Sequence, residues 1–223
     1  MSKRRFICFA IAVFAMALAS NVRAGGVTLV APGLVEWKGP IDVSNTLVFN
    51  ELLGKSTPQN PIVTIRLVAS EGGINKAVRI VRSLIHQNHL KTEARSHCLS
   101  GCAMVFLAGS GRTLLAAEGA EEPTILGFHG TYNPRTWELV GPEEEDISYM
   151  VAASNGRISR EFALKIMQTR DHNGGLLILE KNAARLLGKE PVFYCDRSNG
   201  VVLMLCETID QSAYDLGIVT TPN

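Results

Sequence analysis

The chain has 223 residues, 46% of them hydrophobic and 19% charged, a composition that fits a globular protein and excludes a disordered or fibrous one. Its formal net charge is +1, but residues 1–24 hold Lys3, Arg4, Arg5 and Arg23 and no acid, so without them 18 basic residues face 21 acidic ones, a formal −3. Nothing in that balance suggests a nucleic-acid partner, which would need a concentrated basic face.

The chain opens on an export signature. "MSKRR" is a positive n-region, "FICFAIAVFAMALA" an apolar h-region, and "VRA" before Gly25 places small residues at the cleavage-determining positions. Ser20, Asn21 and Arg23 cut the apolar run short of the roughly 20 residues that a membrane span needs. The sequence therefore predicts a signal peptide over 1–24, cleaved after Ala24, and a single periplasmic domain over 25–223 with no stable span. Cys8 leaves with the signal, and Cys98, Cys102, Cys195 and Cys206 remain. An even set in an exported chain favours disulfides over zinc or redox chemistry.

Next in order, "LVEWKGPIDV" reads as a strand ended by Gly39-Pro40, and Ser44 as the cap of a helix "TLVFNELLG" that stops at Gly54. "IVTIRLVA" is β-branched and nearly continuous in apolarity, as a strand covered on both faces would be. After Gly72-Gly73, Ala77, Ile80, Val81, Leu84 and Ile85 recur at helical spacing. "LKTEAR" predicts a short strand, Ser100 to Leu107 an apolar helix, and "RTLLAAEG" and "TILGFHG" two extended segments around an acidic loop at Glu121-Glu122. "PEEEDISYMVAASNGRISREFALKIMQTR" predicts helix with a break at Asn155-Gly156, and "VFYCDRSNGVVLMLCE" a β-hairpin. Alternating strands and helices imply an α/β fold with a mixed or parallel sheet.

Four cysteines allow three pairings. The hairpin would set Cys195 opposite Cys206, and four-residue helical spacing brings the Cys98 and Cys102 Cα atoms to about 6 Å, inside disulfide range. Those two pairs are the expected ones.

Acyl transfer needs a nucleophile, a base and backbone donors for the oxyanion. Ser100 stands where a strand gives way to a helix, Gly72-Gly73 at another such junction, and His129 ends an extended segment between Gly127 and Gly130. Each has a plainer use. Ser100 is equally suited to be a helix N-cap, the glycine pair a tight turn, and the histidine a structural residue.

The ordered set resembles a superfamily. "SEGGINKAVRIVRSLI" is similar to the glycine turn and helix of the Clp protease proteolytic subunit and its crotonase-fold relatives. "C-x-S-x-C" followed by "G-F-H" is similar to an exported, Clp-protease-like bacterial group. The likeness spans Trp37 to Arg135 and, loosely, "AYDLGIVT", which resembles the family's helix-and-strand ending. It implies repeated β-β-α units with a mixed, mainly parallel sheet flanked by helices, here with the added C-terminal hairpin. It also implies a serine hydrolase acting on a peptide or protein substrate, with Ser100 as nucleophile, His129 as base and the Gly73 and Gly101 N–H groups as oxyanion hole. No cofactor or metal is implied, and homo-oligomers are a family habit. Three departures stand out: no placed carboxylate to orient His129, with Asp171, Glu190, Asp196 and Glu207 all in the relevant region; Glu71 where the family has proline; and a longer acidic loop before His129. A catalytically silent binding or assembly module, an acyl-thioester enzyme, and a serine–lysine peptidase using Lys76 are the other readings.

Overall fold

Strand and helix alternate along the chain, and the order explains how residues far apart in sequence reach one cleft. The computed structural model describes residues 25–116, 123–133, 135–182, 192–196 and 206–221. The expected signal peptide over 1–24, the Glu121-Glu122 loop, Glu190 and the expected Ser198-Asn199-Gly200 turn lie outside them. The elements are β1 (Gly26–Ala31), β2 (Leu34–Lys38), α1 (Val43–Gly54), β3 (Thr64–Ser70), α2 (Asn75–Gln87), β4 (Lys91–Leu99) and α3 (Gly101–Phe106). There follow β5 (Arg112–Leu114), β6 (Ile125–Phe128), α4 (Glu144–Ala153), α5 (Arg160–Met167), β7 (Gly175–Leu179), β8 (Val192–Cys195) and β9 (Glu207–Thr208).

Among the described residues one sheet runs β1-β2-β3-β4-β6-β7-β8-β9, with β5 paired to β4. Its centre, β2-β3-β4-β6, is parallel and both flanks are antiparallel. Ile65 and Leu67 of β3, Trp37 of β2 and Ala94 of β4 are fully buried in the core. The opposite face differs from the expectation of a strand covered on both sides. Arg66 stands there between Glu93, at 2.9 Å, and Glu36, at 3.9 Å, and all three are partly solvated.

The helices obey their periodicity with local changes. Asp42, not Ser44, caps α1, its carboxylate accepting from the Asn45 N–H at 2.8 Å. On α2 the buried positions are Ala77, Val78, Val81, Arg82 and Ile85, while Ile80 faces outward. The predicted break between α4 and α5 is present, with Asn155 and Gly156 both at positive φ. "AYDLGIVT" forms a single turn rather than a helix and strand. Its Leu216, Ile218 and Val219 are buried, and the buried Arg112 guanidinium holds the segment by donating to the Gly217 carbonyl at 2.8 Å.

Both expected disulfides are present. Cys195–Cys206 closes the β8–β9 hairpin across a Cα separation of 4.6 Å, and Cys98–Cys102 spans the β4–α3 junction at 5.2 Å. No helix among the described residues is long and apolar enough to cross a membrane.

Candidate active site

The site begins with a bulge in β4. Val68 of β3 pairs with Arg95 and Ser70 with Cys98, so one residue, Ala69, opposes two, Ser96 and His97. Ala69 (φ 48°) and Ser96 (φ 63°) both take left-handed backbone to make the mismatch. A bulge bends its strand and increases the local twist. Before it, β4 pairs with β5 through Thr92–Ala94; beyond it, His97–Leu99 pair with β6 instead. The change of neighbour brings the end of β4 beside the "GFH" segment. The Ser100 N–H donates to the Gly127 carbonyl at 2.8 Å, and His129 lies two residues further along.

Ser100 has φ 56° and ψ −123°, a conformation that L-residues seldom occupy. It forms the sharp turn from β4 into α3. Its hydroxyl makes no capping bond and no other hydrogen bond among the described residues. The N-cap reading therefore does not describe this serine. The disulfide between Cys98 and Cys102, both fully buried, staples the turn on either side of it.

Ser100, Gly101 and His129 line one narrow cleft with Asn75, Met104 and Met167. Its volume of about 20 Å³ holds roughly one water molecule. Ser100 and His129 are not hydrogen-bonded to each other. Arg79 and Asp146 also line the cleft and belong to a set of ion pairs and hydrogen bonds between α2 and the start of α4. Glu143 accepts from Asn75 at 3.0 Å and from Arg79, Arg79 also meets Glu145 at 3.0 Å, and Arg82 meets Asp146 at 2.8 Å.

His129 Nδ1 lies 2.7 Å from the Gly130 carbonyl. A carbonyl only accepts, so the proton sits on Nδ1 and Nε2 keeps its lone pair. Burial pushes the His129 pKa below its ordinary value; the Gly130 carbonyl opposes that and nearby His172 adds to it. Of the suggested carboxylates, the three described ones, Asp171, Asp196 and Glu207, make no hydrogen bond to His129. Asp171 accepts from the Asn173 N–H at 2.9 Å and lies 3.5 Å from His172. Asp196 and Glu207 line a separate cavity beside Lys165.

The glycine turn packs directly behind the serine. A Cβ on Gly72 would stand 2.9 Å from the Ser100 Cβ, and one on Gly101 only 3.3 Å from the Gly73 nitrogen. Neither the Gly73 nor the Gly101 N–H donates a hydrogen bond within the described residues. The bend is held by its neighbour strand, with Ile41 N–H donating to the Gly72 carbonyl at 2.8 Å and Ile74 N–H to the Ile41 carbonyl at 3.0 Å. Lys76 is exposed and is not among the residues lining the cleft. The sequence reading missed Asn75, Arg79 and Asp146. Their only signal was two polar residues four apart on α2 and an acidic first turn on α4.

Solved structures share this arrangement of strands and helices. A mutant of ClpP1 from Listeria monocytogenes superposes with a TM-score of 0.51 at 15% identity, over 85% of this chain and 90% of that one. The chain has the Clp/crotonase fold. Two further similar structures fall below a TM-score of 0.5. A mutant of the 1510-N membrane-bound stomatin-specific protease gives 0.48 at 12% identity, over 67% of this chain and 73% of that one. A protein described as an enoyl-CoA hydratase from Streptomyces avermitilis gives 0.45 at 15% identity, over 72% and 64% respectively. No protein-family model matches the sequence, and no curated protein does either. Within the Clp/crotonase fold, Ser100 occupies a strand-to-helix turn, and the glycine bend follows the neighbouring parallel strand.

Proposed function

We propose that the protein is an exported serine hydrolase of peptidase type, with Ser100 as nucleophile, His129 as general base and the Gly73 and Gly101 N–H groups as oxyanion donors. One observation carries the reading: Ser100 holds a strained turn with an unbonded hydroxyl and lines the same cleft as His129. Strain of this kind persists where surrounding structure enforces it, commonly at a reactive residue. In the reaction, Ser100 Oγ attacks the acyl carbon while Nε2 takes its proton. The leaving group departs with that proton, and water then attacks the acyl-enzyme by the same route in reverse. The 2.7 Å Gly130 contact takes the orienting part that a carboxylate plays in a full triad, which supports the tautomer but adds no negative charge. Cleavage after Ala24 would place the protein in the periplasm, and two disulfides fit that oxidising compartment.

A fluorophosphonate probe should phosphonylate Ser100 in the intact protein, read as a mass increase on the peptide that contains it, and Ser100→Ala should abolish the adduct. An unlabelled, fully folded protein would support the second reading, a silent binding or assembly module. That reading draws on the absence of a Ser100–His129 hydrogen bond and on a cleft of about 20 Å³, too small for a peptide. The staple supplies a further check. Cys98→Ala with Cys102→Ala should cost about 2 kcal/mol of stability, little because the closed loop is short. The same change should slow phosphonylation about ten- to a hundredfold, because a displaced nucleophile loses orientation. Unaltered labelling with a lowered melting temperature would leave the disulfide a structural role only.

A further inference from the structure

We propose that the groove on the other side of the Gly72–Gly73 bend is a cation subsite, in which the Glu71 carboxylate receives an ammonium or guanidinium group. The groove has a volume of about 470 Å³ and is lined by Pro40, Ala69, Glu71, Gly72, Gly73 and His97. That volume lies within the range of small-molecule sites and accommodates a lysine or arginine side chain. It opens beyond the carboxyl ends of β2 and β3, where open α/β sheets take their ligands. No lysine or arginine lines it, and Glu71 makes no hydrogen bond or ion pair among the described residues. The two acids within β2, β3 and β4, Glu36 and Glu93, instead share Arg66. His97 lines the same groove.

The bend separates this groove from Ser100 by the thickness of one backbone. Gly72 would place a Cβ 2.9 Å from the Ser100 Cβ, and without that Cβ the dividing wall stays low. A substrate with its acyl carbon at Ser100 can pass an adjacent cationic group over the glycines to Glu71. That placement rests on the hydrolase reading; binding of a cation at Glu71 does not. The chain holds a second source of the same chemistry. Gly25 packs against the groove's rim, where its own Cβ would lie 3.2 Å from Gly39 Cα and 3.3 Å from Pro40 Cδ. Cleavage after Ala24 would leave the Gly25 α-ammonium there.

Two diphenyl phosphonate probes that differ only in a benzamidine against a benzyl group next to phosphorus test the idea on the mature protein. The amidine probe should phosphonylate Ser100 about fivefold faster, the scale of a partly solvated charge pair. Glu71→Gln should bring the ratio of the two rates to about one, and Glu71→Lys should invert it. In parallel, free benzamidine titrated into the Ser100→Ala protein should shift the Gly72 and Gly73 amide resonances, and Glu71→Gln should remove the shift. If neither probe labels but benzamidine binds through Glu71, the hydrolase reading falls and the cation subsite stands. Equal labelling rates, with benzamidine indifferent to Glu71, would overturn the subsite and leave the hydrolase intact. A preference for the amidine that emerges only when Gly25 is acetylated would support the subsite and identify the chain's own amine as its occupant.

Discussion

His129→Ala should slow phosphonylation of Ser100 by about 10²- to 10⁴-fold, the contribution of a positioned general base, with the melting temperature nearly unchanged. The ring is half-buried and its one hydrogen bond goes to the carbonyl of the adjacent residue, so little packing depends on it. The pH profile carries the sharper test. A base works only when neutral, and burial holds this imidazole below the ordinary histidine value of 6.5. The rate constant should therefore stay on its plateau as pH falls through 6.5 and decline only at lower pH, as Nε2 takes a proton. His172→Gln should move the midpoint upward, because a like charge that helps to depress the His129 pKa is removed. Stability follows the same sign. A histidine with a depressed folded pKa disfavours folding once protonated, so its part of the stability is present above the unfolded value and lost as pH falls below it. A wild-type midpoint above 6.5, or an identical profile for His129→Ala, would remove His129 from the mechanism.

Much of the fold was legible because the residues that set it act locally. The β-branched run of β3, the apolar stripe of α2, the Asn155-Gly156 break and the hairpin that aligns Cys195 with Cys206 each follow from spacing and backbone preference. What escaped depends on partners distant in sequence. β1 reads poorly because Leu29 and Val30 remain exposed, so its alternation of apolar and polar residues is weak. Asp42 displaces Ser44 as cap because the chain enters α1 two residues earlier, from the paired Ile41. The bulge at Ala69, Ser96 and His97 has no sequence signal, since none of the three is glycine and the left-handed backbone of Ala69 and Ser96 is imposed by unequal strand registers. Yet that bulge turns β4 toward β6 and so unites Ser100 with the "GFH" segment. The group that orients His129 was equally hidden. Side chains advertise themselves in a sequence; the Gly130 carbonyl, like every backbone carbonyl, does not.

Gly73→Ala should lose both labelling and stability, and the structure gives the reason that the sequence left open. Gly73 does not lie in the left-handed region, so its conformation alone would admit alanine; Gly72, at φ 105°, is the residue that needs glycine's freedom. Space is the obstacle at Gly73. An added Cβ would stand 2.0 Å from the Ile41 carbonyl oxygen and 2.6 Å from its carbon, both backbone atoms of the strand extension that holds the bend. No rotamer relieves a backbone contact, so the peptide must shift, at a cost of about 1–3 kcal/mol for an overpacked site. The shift displaces the Gly73 N–H, and loss of one oxyanion donor slows acyl transfer by about 10²- to 10³-fold. Gly54→Ala is the matching control. Nothing lies within 4 Å of its added Cβ, at the end of α1, and replacing glycine within a helix is worth up to about 1 kcal/mol in favour of folding. Gly54→Ala should therefore label like the wild type and melt no lower. Labelling of Gly73→Ala at the wild-type rate, with an unchanged melting temperature, would show that the bend neither resists a side chain nor holds an oxyanion.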